Sequence, residues 1–460
     1  MLLNQGISKG DRVALFSSNK LECLDLFLAT GKIGAILVPY NIRLSSEELE
    51  YLMNKISPSI LFYEEKLENK AREIKKKSKV KDNVVISKNS GDLGASYYDL
   101  TQKLSNKNIE RPNLNFEDPH LILFTGGTTG LPKGAVLSHR LIFWNSVNTI
   151  LTWSLNADDI QPLLFPLFHT GGWNVLLVAF YHLGAKTILM GDFNPEETIK
   201  VIDQEKCTIV IGVPTMFLMM ANTDIFEVTQ FPSVKIFISG GAPCPVAIME
   251  RYWNKGKLLK MGYGLTEVGP NNFYLPEDKI KLKPTSVGLP VFHCDTKIVN
   301  TETDKVVKQG EVGELLLKGP HVFSGYWDEP EETKKTIEPD GWVHTGDLVM
   351  QDEQGFYFIV GRRKEMFISG GENIFPVEIE EVLFKHPAVD LAAVIGVPDE
   401  KWGEVGKAYL TPKKGKSIDE EEIREYLLSK LAKYKVPKYY EIRDSLPTSA
   451  TGKILKRELK

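Results

Sequence analysis

Apolar residues in the first sixty positions come in short runs separated by longer amphipathic stretches. Asp11-Arg12-Val13-Ala14-Leu15-Phe16 reads as a strand, a helical pattern follows through Phe27, and Ala35-Ile36-Leu37-Val38 reads as a second strand. Strands alternating with helices predict an α/β architecture in which the helices layer on a mainly parallel sheet. Further on, Leu121-Ile122-Leu123-Phe124 is a buried-strand run that ends in Thr125-Gly126-Gly127-Thr128-Thr129-Gly130-Leu131-Pro132-Lys133-Gly134. Ala135-Val136-Leu137 reads as the returning strand. A helix then starts at about His139, capped by Ser138, with Phe143, Val147, Ile150 and Leu151 predicted on one face. Val234 to Ile238 is another buried strand. Towards the end, a helix over Val377 to Phe384 opens with Pro376 near its first turn, and a second starts at Ser417 with Glu420 completing a capping box.

Two polar stretches interrupt this pattern. Residues 66–81 are charge-dense and include Lys75-Lys76-Lys77, but Glu68 and Glu73 are interleaved and no aromatic accompanies them. A solvated helix face accounts for that mixture better than an anionic-membrane patch does. Residues 101–118 carry Asn and Pro and read as a linker into the strand at Leu121.

Composition narrows the classes. The chain has 460 residues, 42% hydrophobic and 25% charged, with a net charge of −4, so it is long enough for more than one domain and shows no bias towards nucleic acid. The longest clean apolar run, Val175 to Phe180, is too short to cross a bilayer, and Met1-Leu2-Leu3 runs straight into Asn4-Gln5 without a signal-peptide core. Cys23, Cys207, Cys244 and Cys294 are too scattered for a metal pair or a disulfide framework, which makes a reducing cytoplasm the expected compartment.

The chemistry concentrates in a few segments. The glycines of 126–134 let several amides turn towards one anion, the threonines add hydroxyl donors, and Lys133 adds charge, so the loop suits a polyphosphate. It is not a Walker A loop, because Pro132 precedes the lysine and Gly134 follows it. Ser239-Gly240-Gly241-Ala242-Pro243 follows a strand with small residues, which would admit a flat ring at the carboxyl end of a sheet, although an ordinary tight turn has the same composition. In Met261-Gly262-Tyr263-Gly264-Leu265-Thr266-Glu267, Tyr263 offers a stacking face, Thr266 a hydroxyl for a phosphate oxygen and Glu267 a hard oxygen for Mg²⁺. Asp347 and Arg362 form an acceptor and donor pair suited to ribose hydroxyls. In Pro166-Leu167-Phe168-His169-Thr170-Gly171-Gly172-Trp173, the histidine alone would be read as a core residue.

Taken together, these segments resemble the adenylate-forming superfamily of acyl-CoA synthetases, luciferases and peptide-synthetase adenylation domains. The likeness extends from about Gly6 to Lys460 and includes the closing Pro447-Thr448-Ser449-Ala450-Thr451-Gly452-Lys453. Gly126 stands where the family usually has serine, a variant that resembles fatty-acyl members. The family also carries several strands and helices ahead of the point where this chain begins, so the resemblance implies a shortened first sheet. The implied fold is a large α/β domain over residues 1–364 and a small, mobile α+β lid over 365–460, with Lys364 at the hinge.

The resemblance also implies roles. Thr125, Gly126, Gly127, Thr128, Thr129, Gly130 and Lys133 would hold pyrophosphate. Gly240, Gly241, Ala242, Pro243, Tyr263 and Gly264 would hold adenine, and Asp347 and Arg362 the ribose. Thr266, Glu267 with Mg²⁺, His169 and Lys453 would form the catalytic set. Gly371 would let the pantetheine arm of coenzyme A pass close to the backbone, and Trp173 would gate an acyl pocket. Luciferases carry a lysine where this chain has Ile368.

The implied reaction joins a carboxylic acid to ATP, giving acyl-adenylate and pyrophosphate, and then to CoA, giving acyl-CoA and AMP. A fatty acid is favoured, with aryl and short acids as alternatives, and the enzyme would be a monomer or homodimer without a nucleic-acid partner. Three rivals remain: an adenylation domain that loads a separate carrier protein, a luciferase-like oxygenase, and a non-catalytic nucleotide-binding relative.

Overall fold

A computed structural model describes the chain except residues 79, 81, 103, 105–108, 126–131, 450–451 and 460. Its first sheet has seven strands, ordered Ala95–Ser96, Asp82–Ile86, Ile60–Glu64, Arg12–Phe16, Ile36–Pro39, Pro119–Thr125 and Lys133–Ser138. All neighbours are parallel except the last pair. Ile60–Glu64 is buried at every position, as expected for a parallel strand covered on both faces. The helix after Arg12–Phe16 runs over Leu21–Ile33, one and a half turns beyond Phe27, and ends where Gly34 takes a φ of 72°.

A second, parallel sheet comprises Ile209–Gly212, Ile236–Ser239 and Leu259–Met261, with the parallel pair Ile160–Leu163 and Lys186–Leu189 beside it. Six strands from Phe273–Tyr274 to Tyr357–Arg362 make an antiparallel sheet. The last sheet is built from Phe367–Ser369, Glu372–Ile374, Val389–Asp399, Gly403–Pro412 and Tyr439–Ile442, packed with helices Pro376–Leu383 and Glu420–Leu428 around their own apolar core. The chain therefore has a large N-terminal α/β part and a small C-terminal α+β part with a core of its own. All four cysteines are buried and free. Among the described residues no helix is long and apolar enough to cross a membrane.

Two local expectations need correction. The helix His139–Thr152 is capped by Ser138, whose hydroxyl accepts from the Leu141 amide, but its face is not the predicted one. Phe143 and Leu151 are exposed, whereas Asn145, Ser146, Asn148 and Thr149 are buried with Leu141 and Ile142. Apolar periodicity selected the wrong side because the neighbours of the buried side supply hydrogen-bonding groups. The helix Glu420–Leu428 is capped by Asp419, whose carboxylate accepts from the Glu422 amide, so there is no Ser417–Glu420 box. The segment from Phe367 is a β-hairpin turning at Gly370 and Gly371.

Candidate active site

The glycine-rich loop is the connection of an antiparallel hairpin, in which Thr125 pairs with Lys133 at the mouth. Gly126, Gly127, Thr128, Thr129 and Gly130 lie outside the described residues. Lys133 is not a solvated lysine on a loop. Its ammonium bonds the Glu332 carboxylate, whose pKa this contact and Lys335 hold down to about 2, and it sits 5.1 Å from the centre of the Tyr326 ring.

Tyr326 is a residue that sequence reasoning missed. Its hydroxyl donates to Glu267 Oε1 at 2.9 Å, so one side chain joins the hairpin's lysine to the carboxylate expected to hold a metal. Residues 324–327 run alongside Gly134–Val136, with hydrogen bonds from the Val136 amide to the Gly325 carbonyl and from the Trp327 amide to the Gly134 carbonyl. In the sequence Tyr326 is a lone tyrosine, in Gly325-Tyr326-Trp327 after the strand Gly313–Lys318, with no periodic pattern to mark it.

The second sheet delivers the next group. Ser239-Gly240-Gly241-Ala242-Pro243 leaves the carboxyl end of Ile236–Ser239, where the Gly240 amide bonds the Gly212 carbonyl and the Gly262 amide bonds the Ser239 carbonyl. Gly241 takes a φ of 80°, the left-handed region that favours glycine. Gly264 is needed for a different reason, because a Cβ there would lie 2.2 Å from the Pro270 backbone. That close approach shapes the turn carrying Tyr263, Thr266 and Glu267.

The third group comes from the antiparallel sheet. Asp347 and Arg362 lie opposite one another on Val343–Gln351 and Tyr357–Arg362. Arg362 Nε contacts Asp347 Oδ1 at 2.7 Å, and the Tyr263 hydroxyl donates to Asp347 Oδ2 at 2.6 Å. Burial pushes the Asp347 carboxyl above its usual range, with Arg362 and Tyr263 opposing the rise. Burial and Asp347 push the Tyr263 phenol well up, so it stays neutral and remains a donor.

Lys453 reaches this cluster on a short hairpin from the far end of the chain. Its amide donates to Ser449 Oγ, and Thr448 bridges Ile454. The hairpin docks on the second sheet's domain, where Thr215 Oγ1, at the start of helix Pro214–Ala221, donates to the Gly452 carbonyl at 3.2 Å. Gly452 has a φ of 78°, and a Cβ on it would lie 2.6 Å from Thr215 Oγ1. Burial lowers the Lys453 pKa and Arg362 lowers it further, while Glu365 and Asp347 act the other way.

His169 feels the same lysine. Burial, with Lys453 second, lowers its pKa to about 4, so the ring is neutral near pH 7. Its Nδ1 accepts from the Gly171 amide, which puts the ring proton on Nε2. Trp173 lies on the next turn and is fully buried. Its indole N–H donates to the Leu167 carbonyl, and its ring stacks on Phe27 at 4.8 Å.

The remaining expected residues lie in and after the turn that follows Arg362. Lys364 is exposed in the turn between Arg362 and Phe367, and Gly371 is exposed with a φ of 89°. Lys456, close to Lys453 in sequence, has a separate task. Its ammonium is paired with Glu365 Oε2 at 3.1 Å and Glu380 Oε1 at 2.7 Å, tying the chain's tail to the turn after Arg362 and to helix Pro376–Leu383.

The AMP-binding enzyme family model matches residues 1–327, and the AMP-binding enzyme C-terminal domain matches 378–453. The chain is 36% identical to the feruloyl-CoA synthase of Amycolatopsis sp over 458 residues, covering 99% of this chain and 89% of that protein. It is 34% identical to the long-chain-fatty-acid–CoA ligase of Bacillus subtilis strain 168, covering 99% of this chain and 86% of that one. Its fold is similar to the crystal structure of ATP-bound MatB from Rhodopseudomonas palustris, with a TM-score of 0.91, 31% identity, and coverage of 100% of this chain and 90% of that one. With nearly the whole chain aligned, these likenesses and the convergence of Tyr263, Asp347, Arg362 and Lys453 lead to one assignment. The chain belongs to the adenylate-forming AMP-binding enzyme family and is an AMP-forming acid–thiol ligase.

Proposed function

We propose that the cluster around Asp347 and Lys453 is where a carboxylic acid is adenylated by ATP and then passed to CoA. The observation that carries this reading is the docking of the Gly452–Lys453 hairpin against Thr215, which brings the Lys453 charge to Asp347, Arg362 and His169. A carboxylate is already ionised near neutral pH, so its attack on the α-phosphorus needs no general base. It needs alignment and neutralisation of charge that builds in the transition state. Lys453 and Thr266 would face the α-phosphate. The Thr125–Lys133 loop would hold the departing pyrophosphate, with Lys133 exchanging Glu332 for phosphate oxygens. Tyr263 and the Gly240–Pro243 turn would hold the base, and Asp347 and Arg362 the ribose. Neutral His169, with its proton on Nε2, would donate to the acid's carboxylate.

Glu267 fits a Mg²⁺ ligand. Among the described residues it belongs to no cluster of carboxylates, histidines and cysteines, and Mg²⁺ is commonly held by one carboxylate together with substrate phosphates and water. Bound there, the ion would neutralise phosphate charge. Tyr326 holds the carboxylate in place for it.

The second half-reaction requires Lys453 to leave so that the CoA thiol can reach the acyl carbon. We assign residues 1–364 to the large domain and 365–460 to a lid turning at Lys364, with Gly371 lining the pantetheine path. Buried, free cysteines suit a reducing compartment, in keeping with a cytoplasmic enzyme. Pyrophosphate release from ATP across a panel of acids, followed by thioester formation on adding CoA, tests the reading. Pyrophosphate release with no thioester from any acid would favour a carrier-protein acceptor, and no release at all would favour a non-catalytic relative.

A further inference from the structure

The buried face of helix His139–Thr152 is polar, and its amides are left with atoms to spare. Asn145 is 2% exposed. Its Nδ2 donates to the Asn174 carbonyl, and that contact fixes the amide's orientation, so Oδ1 is the acceptor. Asn145 Oδ1 has no hydrogen-bond partner among the described residues, nor does Asn174 Oδ1, nor either polar atom of Asn148 one turn along the helix. Asn148 and Asn174 are 1% and 2% exposed. Buried amide atoms are normally satisfied, so four in one region need a reason.

Their place in the fold supplies one. Asn174 lies five positions after His169, and Asn145 Oδ1 lies within 2.7 Å of where a Cβ on Gly269 would be, two positions after Glu267. Asn271 completes the link, with Nδ2 donating to Thr149 Oγ1 and the Val175 carbonyl, both at 2.8 Å. The asparagines therefore span the gap between the segment bearing His169 and the loop bearing Thr266 and Glu267. An acid whose carboxylate sits between those segments would extend its other end towards them.

We infer that the acid this enzyme prefers carries a hydroxyl group beyond its carboxylate, read by Asn145, Asn148 and Asn174; the inference rests on the acid–CoA ligase reading above. The unpaired amide oxygens of Asn145, Asn148 and Asn174 require a donor, and a hydroxyl donates to one while accepting from the Asn148 amide N–H. A plain alkyl or aryl acid would leave these groups unpaired, and sites built to bond a hydroxyl discriminate strongly against the analogue lacking it.

The test uses matched acids that differ only by the hydroxyl: para-coumarate with cinnamate, and omega-hydroxyoctanoate with octanoate. Pyrophosphate release gives kcat/KM for each. The hydroxylated member of at least one pair is expected to win by about 10²-fold or more, and the ratio is expected to fall towards one in Asn145→Leu and Asn145→Ala. Binding of ATP by each variant, read as a thermal shift, reports that it is folded. Ratios near one in both pairs for the wild-type enzyme, with pyrophosphate released from all four acids, would overturn the inference and leave the ligase reading standing. A wild-type preference that both folded variants retain would also overturn the asparagine assignment. Release from none of the acids would instead remove the reading on which it rests.

Discussion

Asp347 and Tyr263 meet through a 2.6 Å hydrogen bond from phenol to carboxylate, joining the turn after the second sheet to a strand of the antiparallel sheet. Arg362 takes the other carboxylate oxygen at 2.7 Å. The same three residues are the ones proposed to hold the nucleoside, so on that reading nucleotide recognition and the packing of two sheets would share their side chains. Disturbing the groups around this junction should therefore affect the two half-reactions unequally.

Tyr326 is the first case. Its hydroxyl holds Glu267 Oε1 while its ring lies beneath Lys133. Tyr326→Phe keeps the ring and removes the donor. Loss of such a supporting hydrogen bond commonly costs about 10- to 100-fold in metal affinity or activity. Titrating Mg²⁺ in the pyrophosphate-release assay should show a raised requirement for the ion, with a thermal midpoint close to wild type. An unchanged Mg²⁺ profile would mean that Tyr326 only packs.

Gly452 is the second. A side chain at this position must adopt a φ of 78° and displace Thr215 Oγ1. Gly452→Val should keep the Lys453 hairpin from seating, so adenylate formation should fall while thioester formation from supplied acyl-adenylate and CoA is largely retained. Thr215→Ala removes the hydroxyl contact and should relieve part of the clash in the double variant. Equal loss of both half-reactions in Gly452→Val would argue for general disruption of the small domain.

Stability should respond to pH in a window set by buried histidines. Burial lowers the pKa of His120 to about 3 and those of His169 and His321 to about 4, against 6.5 for a free ring. Their folded values are depressed, so the unfolded chain binds more protons between about 6.5 and 4. The stability they contribute is present above 6.5 and is lost as pH falls through that window. His344 acts in the opposite direction: its contact with Glu314 raises its pKa, so the stability it contributes is lost as pH rises above 6.5. The thermal midpoint should therefore drop between pH 6.5 and 4. His321→Asn, which removes one of these groups, should shallow the slope, and an identical slope would remove His321 from the account.

Much of this arrangement was legible in the residues themselves. The hairpin about the glycine-rich loop followed from an apolar run, glycines and a second short strand, and Pro119–Thr125 and Lys133–Ser138 pair in that way. Tyr263 stood out as a stacking face within a family-like segment, and Asp347 and Arg362 as an acceptor and donor pair suited to ribose hydroxyls. The face of helix His139–Thr152 was not legible, since apolar spacing ranks Phe143 and Leu151 above asparagines, and only tertiary contacts reveal which side is covered. Tyr326 was missed because a lone tyrosine in a loop carries no periodic signal. Nothing in the local sequence reveals that Glu365 and Glu380 enclose Lys456. Arg457, which is exposed, serves as the charge control for Lys453.

The central claim is that Lys453 serves adenylation alone and must withdraw before CoA reacts. Removing one preorganised group that stabilises transition-state charge typically costs about 10²–10³ in rate, or roughly 3–4 kcal/mol. The most direct measurement separates the two half-reactions in Lys453→Ala, with Arg457→Ala as the control: pyrophosphate release from ATP and acid, and thioester formation from supplied acyl-adenylate and CoA. The account predicts that Lys453→Ala loses the first by about 10² or more and keeps the second near the wild-type rate, while Arg457→Ala keeps both. Equal loss of adenylation in both variants, or loss of thioester formation in Lys453→Ala, would contradict it.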